Sequence, residues 1–273
     1  MRSLSPELNL AVAGPLAGFV TDGKSADVEL DCRWDELADE PGGEPVFDSQ
    51  GAWALFRRDG RSVFQLRTAA LGAVPYTVAS LTPDLSRGEV RLHRPYFSGA
   101  PLYPLAYPLD ELLLSRWLAR NQGVEVHASG VVDARGSGHV FLGASGAGKT
   151  TLASLWLGRP GVRVLSDDRI ALRKVGSSLM MYGTPWHGTG ACATPASAPL
   201  EHLYFLHKGA NRRLPVRRSL AVARLFACSF PPLEDAQGLE EVLGFLDEVA
   251  GRVPCEELWF TPDASALELF EAR

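Results

Sequence analysis

Of 27 basic residues only four are lysines, and acids outnumber bases by 32 to 27, a net charge of -5. A chain with that balance carries no global field drawing it to nucleic acid or to an anionic membrane, so neither is expected as a partner. Cysteine is equally sparse. The four, Cys32, Cys192, Cys228 and Cys255, form no C-x-x-C pair and have no histidine at zinc-binding spacing. That excludes a disulfide framework and a structural zinc site, and leaves reduced, buried thiols as the expectation. No apolar run is long enough to span a bilayer; the segment Leu8 to Val20 is preceded by Glu7, with Arg2 as the one basic residue before it. A cytoplasmic protein is the expectation from these two absences.

What the chain does have is a core. Of its 273 residues 46% are hydrophobic and 22% charged, which suits one or two globular domains, and 27 glycines with 19 prolines supply many turns without a repeat. Up to about residue 105 the pattern is short and strand-like: Val28 to Cys32, Trp53 to Phe56 and Tyr76 to Val78, with Asp59-Gly60 as turn chemistry. This half reads as an antiparallel β-rich domain, 1–105, of unassigned role. Pro101 to Pro108 reads as a stiff extended connection, because each proline biases its predecessor away from helix. A second domain, 109–273, follows.

There the signals alternate. Asp110 can cap a helix carrying Leu113, Leu114, Trp117 and Leu118 at helical spacing, with Gly123 as its stop. Strands are expected at Val124 to His127, at His139 to Leu142 and at Arg163 to Ser166, with a helix over Thr150 to Leu157 between the last two. Further strands are expected at Leu179 to Tyr182 and Leu203 to Leu206, separated by the proline-rich Thr194 to Pro199. A final amphipathic helix is expected from Asp235 to Ala250, ended by Gly251.

Gly143-Ala144-Ser145-Gly146-Ala147-Gly148-Lys149-Thr150 fits G-x-x-x-x-G-K-[ST] in full, between an apolar strand and an apolar helix that begins with Thr150 and Thr151. Phosphate oxygens need many donors at short range, and glycines let consecutive backbone N–H groups converge without side-chain collision. Lys149 adds a compact positive charge for the β and γ phosphates, the helix start adds its positive dipole end, and the Thr150 hydroxyl can hold Mg²⁺. ATP with Mg is the ligand pair this predicts. Asp167-Asp168 ends the strand after the helix; a right-handed crossover returns that end to the edge where the loop lies. One aspartate can then serve the metal and the other accept the proton of an attacking hydroxyl. His127 is either a hydrogen-bonded core histidine or a donor at the phosphate site. His187, in the glycine- and proline-rich Tyr182 to Gly188, and the cations Lys208, Arg212, Arg213, Arg217 and Arg218 are weaker candidates.

The histidine-bearing strand, the G-A-S-G-A-G-K-T-T-L loop and the strand ending Ser166-Asp167-Asp168 resemble the catalytic domain of HPr kinase/phosphorylase. They resemble still more the HPr-kinase-like proteins found beside peptide-modification genes, over residues 109–262. The resemblance implies a mixed-sheet α/β kinase domain related to phosphoenolpyruvate carboxykinase, with Asp168 as base, Asp167 assisting at the metal and His127 near the transferred phosphate. It implies a serine-type hydroxyl on a peptide, protein or small molecule as acceptor. The family's L-E-I-R-G-hydrophobic segment that helps engage HPr is not found, so neither HPr as substrate nor phosphorolysis is carried over from the resemblance. The competing class is a non-catalytic ATP-binding module; the retained aspartate pair favours the enzyme, because holding phosphates needs no base.

Overall fold

A computed structural model describes residues 1–23, 25–40, 42–97 and 101–271. Two compact units are distinguished: residues 1–13 with 20–113, and residues 14–19 with 114–273.

The first unit is built on a seven-stranded sheet. Its strands are β1 (Arg2–Ser3), β2 (Glu29–Asp35), β3 (Glu44–Asp48), β4 (Trp53–Arg58), β5 (Arg61–Leu66), β6 (Thr77–Leu81) and β7 (Arg87–His93), in the order β1-β2-β7-β6-β5-β4-β3. The β3 to β7 pairings are antiparallel, but β2 lies parallel to both β1 and β7, so the sheet is mixed and not the purely antiparallel one expected. The row Cys32, Val90, Ala79, Phe64 and Leu55 runs straight across it and is buried throughout. Neighbouring rows carry Arg33, Arg91, Asp31 and Glu89 to the opposite face, as the two-residue side-chain period requires. The proline-rich stretch is extended only at its start, where Leu102 bridges Leu10; residues 104–108 are turns leading into α1 (Leu109–Arg120), where Asp110 is the second helical residue and not the cap.

The second unit is organised around β8 (Gly123–Val132), a ten-residue strand that runs five residues beyond the expected Val124 to His127. Its remaining elements in chain order are β9 (Gly138–Leu142), α2 (Lys149–Trp156), β10 (Arg163–Ser166), β11 (Arg169–Val175), β12 (Ser178–Gly183), β13 (Ser197–Lys208), β14 (Arg212–Pro215), α3 (Arg218–Ala227), α4 (Ala236–Arg252), β15 (Cys255–Phe260) and α5 (Glu268–Glu271). Asp235 caps α4 by accepting from the Gly238 amide, and Gly251 lies inside the helix, which runs on until Pro254 follows Val253. β13 begins at Ser197, so Pro199 sits within a strand and not in the separating segment.

β9 pairs antiparallel with Ala128–Val132 along one edge of β8; β10 and then β11 pair antiparallel along the other. β9 and β10 therefore run in the same direction with β8 between them, and α2 carries the chain across. Beyond β9 the sheet continues in parallel with β13 and β15, so three carboxyl ends face one edge. β9 is buried along its whole length because both faces are covered. Val140 and Leu142 pack with Ala221 and Leu225 of α3 and with Val242 and Leu246 of α4. Phe141 packs on the opposite side with Leu152 and Trp156 of α2 and with Phe270. No helix among the described residues is long and apolar enough to cross a membrane.

Candidate functional site

The glycine loop leaves β9 at Gly143 and enters α2 at Lys149. Two glycines do specific conformational work. Gly148 has φ +106°, and a Cβ there would lie 2.6 Å from Cζ of Phe260, so the loop can lie against that ring only without a side chain. Gly143 is held as tightly, since a Cβ would come 2.7 Å from that of Ala147. Ala144, Ser145 and Gly146 form the exposed rim, and Thr151 lies on the outer side of α2. Lys149 is buried, its Nζ donating to the carbonyls of Gly143 at 2.8 Å and Ala144 at 3.3 Å. Burial draws its pKa below the ordinary value, against the upward pull of Cys228 and Asp168.

Residues Glu125, His127 and Ser129 of β8 alternate onto the face that carries α2, opposite the face of Val126 and Ala128. Ser129 donates from Oγ to the Lys149 carbonyl at 3.2 Å, tying the first turn of α2 to the strand. His127 Nε2 lies 3.2 Å from Asp168 Oδ1. A carboxylate can only accept, so this contact is a hydrogen bond with the proton on Nε2. Burial, then the Lys149 charge, holds the His127 pKa below its usual value, with Asp168 pulling the other way. Arg169, opposite His127 in the ladder, places Nε 3.6 Å from Asp168 and a terminal nitrogen 3.7 Å from buried Glu125, and stacks over Phe230 at 4.4 Å. Ser166 Oγ accepts from the Asp168 and Arg169 amides and donates to the Trp186 carbonyl, fixing the strand end that presents the aspartates.

Asp167 and Asp168 differ sharply. The Asp168 side chain is about a third exposed, while Asp167 is buried. Oδ1 of Asp167 accepts from the amides of Gly188 (3.0 Å) and Cys192 (3.2 Å), and Oδ2 from the Gly190 amide (2.7 Å) and the Thr150 hydroxyl (3.4 Å). All four acceptor positions of the carboxylate are therefore engaged. A Cβ at Gly188 or Gly190 would stand 2.9 or 2.7 Å from Oδ2, so the approach of the loop depends on both glycines.

No family model and no curated protein matches the chain by sequence. Among solved structures, the chain is similar to the HPr(Ser) kinase/phosphatase from Coxiella burnetii at 15% identity and a TM-score of 0.30. That match covers 53% of this chain and 90% of the other.

Lys149, Thr150, Asp167, Asp168 and His127 thus come together across the edge formed by β9, β8 and β10. His187 is exposed and bonds only locally, to the Gly188 carbonyl. Three of the cations are engaged away from the loop: Arg212 stacks over Trp259, Arg213 pairs with Glu256 and Arg218 with Asp247, whereas Lys208 lines the space beside the glycine loop. Glu125 and Arg169 were missed in the sequence, although Glu125 lies two residues before His127 on one strand and Arg169 directly follows Asp168. Cys228 carried no signal. Its carbonyl accepts from the His127 amide at 2.7 Å, and burial raises its thiol pKa against the pull of Lys149 and the Gly143 amide. Among the described residues no three His, Cys, Asp or Glu side chains gather as a metal-binding group. Mg²⁺ does not require one, since it keeps water and phosphate ligands and takes one or two from protein.

Proposed function

We propose that the chain is an ATP- and Mg²⁺-dependent kinase that transfers the γ-phosphoryl group to a serine-type hydroxyl on a peptide, protein or small molecule. The observation that carries this reading is the Thr150 to Asp167 contact. It ties the glycine loop to the strand end that presents Asp168, a carboxylate about a third exposed beside Lys149. A phosphate-binding loop alone needs no such neighbour.

Lys149 exchanges its two loop carbonyls for phosphate oxygens and offsets their charge. Thr150 would hold Mg²⁺ together with water and phosphate oxygens, supplying charge that offsets the phosphates; Asp167 acts on the metal only through the Thr150 hydroxyl, because its own oxygens are engaged. Asp168 takes the proton of the acceptor hydroxyl as the new oxygen–phosphorus bond forms, and the bond to the β-phosphate oxygen breaks to release ADP. His127, donating from Nε2 to Oδ1, orients the carboxylate, and Oδ2, which faces Arg169 Nε at 3.6 Å, is the oxygen that takes the proton.

Asp168→Asn preserves shape but cannot accept the proton. Turnover, followed as ADP release or as radiolabel transfer into a peptide library, should fall by about 10² or more with nucleotide binding retained. Undiminished turnover would remove Asp168 from the role of base. A wild type that binds ATP and transfers to no acceptor would favour the non-catalytic module.

A further inference from the structure

The carboxyl ends of parallel strands in an open α/β sheet form a crevice where ligands settle. Here that crevice is a cavity of about 420 Å³ directly beside the glycine loop. One wall is Gly146–Gly148 with Thr151; the other is the chain leaving β13 at Lys208 and Gly209 and leaving β15 at Phe260, Thr261 and Pro262. The Phe260 ring lies against Gly148, so the two walls meet at the point where the phosphate loop turns into α2.

Lys208 apart, the polar groups of the far wall are already committed to one another. The Thr261 amide and hydroxyl both donate to Asn211 Oδ1, at 2.8 and 3.1 Å, and Asn211 Nδ2 donates to Ser265 Oγ at 2.8 Å. The Gly209 amide donates to the Phe260 carbonyl, and Pro262 has no N–H to offer. A ligand entering this space meets apolar surface and few fixed hydrogen-bonding groups.

We propose that this cavity seats the nucleoside half of the bound triphosphate and holds a purine by contact area, without reading its edge. The inference rests on the phosphate reading of the glycine loop. A site built to hydrogen-bond a base rejects analogues that lack the matching group by large factors, whereas an apolar pocket discriminates weakly. Adenine and guanine nucleotides are accepted alike.

The test is calorimetric titration of the full chain with ATP, GTP and inorganic tripolyphosphate, each with Mg²⁺. ATP and GTP should bind within about tenfold of each other, and both at least about tenfold more tightly than tripolyphosphate, from base contacts that the latter lacks. Pro262→Trp, at the exposed rim, should bring both nucleotides down to the tripolyphosphate affinity and leave tripolyphosphate unchanged, while Pro262→Ala keeps the difference. Equal binding of ATP and tripolyphosphate by the wild type would overturn the nucleoside seat and leave the phosphate site standing. So would a nucleotide advantage that survives in a folded Pro262→Trp protein. A preference of about a hundredfold or more for one purine would overturn holding without edge reading. Absence of binding by all three would overturn the phosphate reading and this inference with it.

Discussion

Replacing Asp167 by asparagine tests whether this carboxylate anchors the Gly188–Cys192 segment. Asparagine keeps one acceptor oxygen. In one orientation its amide nitrogen meets the Gly188 and Cys192 amides, both donors; in the other it meets the Gly190 amide and the Thr150 hydroxyl, which can rotate and accept from it. The second orientation is the cheaper, and it loses one hydrogen bond to a charged group, worth about 1.5–3 kcal/mol. The segment is partly exposed, so water replaces some of the loss, and the lower end, about 1.5 kcal/mol, is the better figure. A local opening easier by that amount speeds amide exchange about tenfold. Hydrogen exchange read at residues 188, 190 and 192 should show that acceleration, while amides of β9 and β13 exchange as before. Unchanged exchange in this segment would refute the anchoring argument, and equal acceleration everywhere would refute its local character.

His139 is buried among Trp156, His202, Tyr204 and Phe270, and burial depresses its pKa to about 4. The unfolded chain takes up this proton near pH 6.5 while the folded chain resists until about pH 4, so stability falls as pH drops through that window, by up to about 3 kcal/mol. Urea titrations across that range should show a shallower slope for His139→Phe, and an unaltered slope would refute the assignment. Arg116 and Glu234 form a pair whose side chains are 4% and 6% exposed, so Arg116→Ala strands a buried carboxylate and should cost about 3–5 kcal/mol in chemical denaturation. A loss below about 1 kcal/mol would contradict it.

The glycine loop and the aspartate pair were legible because both are local signals, spelled by residues adjacent in the chain. β8 was not read through because Ala128, Ser129 and Gly130 have little strand propensity. Tertiary packing decides there: all three are buried, and a Cβ at Gly130 would sit 2.4 Å from Ile170 Cδ1. The parallel placement of β2 beside β7 joins segments with four strands, β3 to β6, between them in the chain, and no local pattern encodes that. The same applies to Cys228–Phe230, whose Ser229 bridges Val126 a hundred residues earlier and so carries Phe230 under Arg169. The enclosure of Asp167 was half legible, since Gly188 and Gly190 mark a loop without saying which side chain it closes on.

Titration of the wild-type chain and of Lys149→Ala with Mg-ATP bears most directly on the nucleotide site. Lys149 is buried at the neck of the loop with its ammonium held only by two carbonyls, so phosphate is the natural replacement partner. Calorimetry should show saturable binding by the wild type and a strong loss in the alanine variant, with the circular dichroism of the two proteins alike. Equal ATP affinity in a folded Lys149→Ala protein would contradict the account.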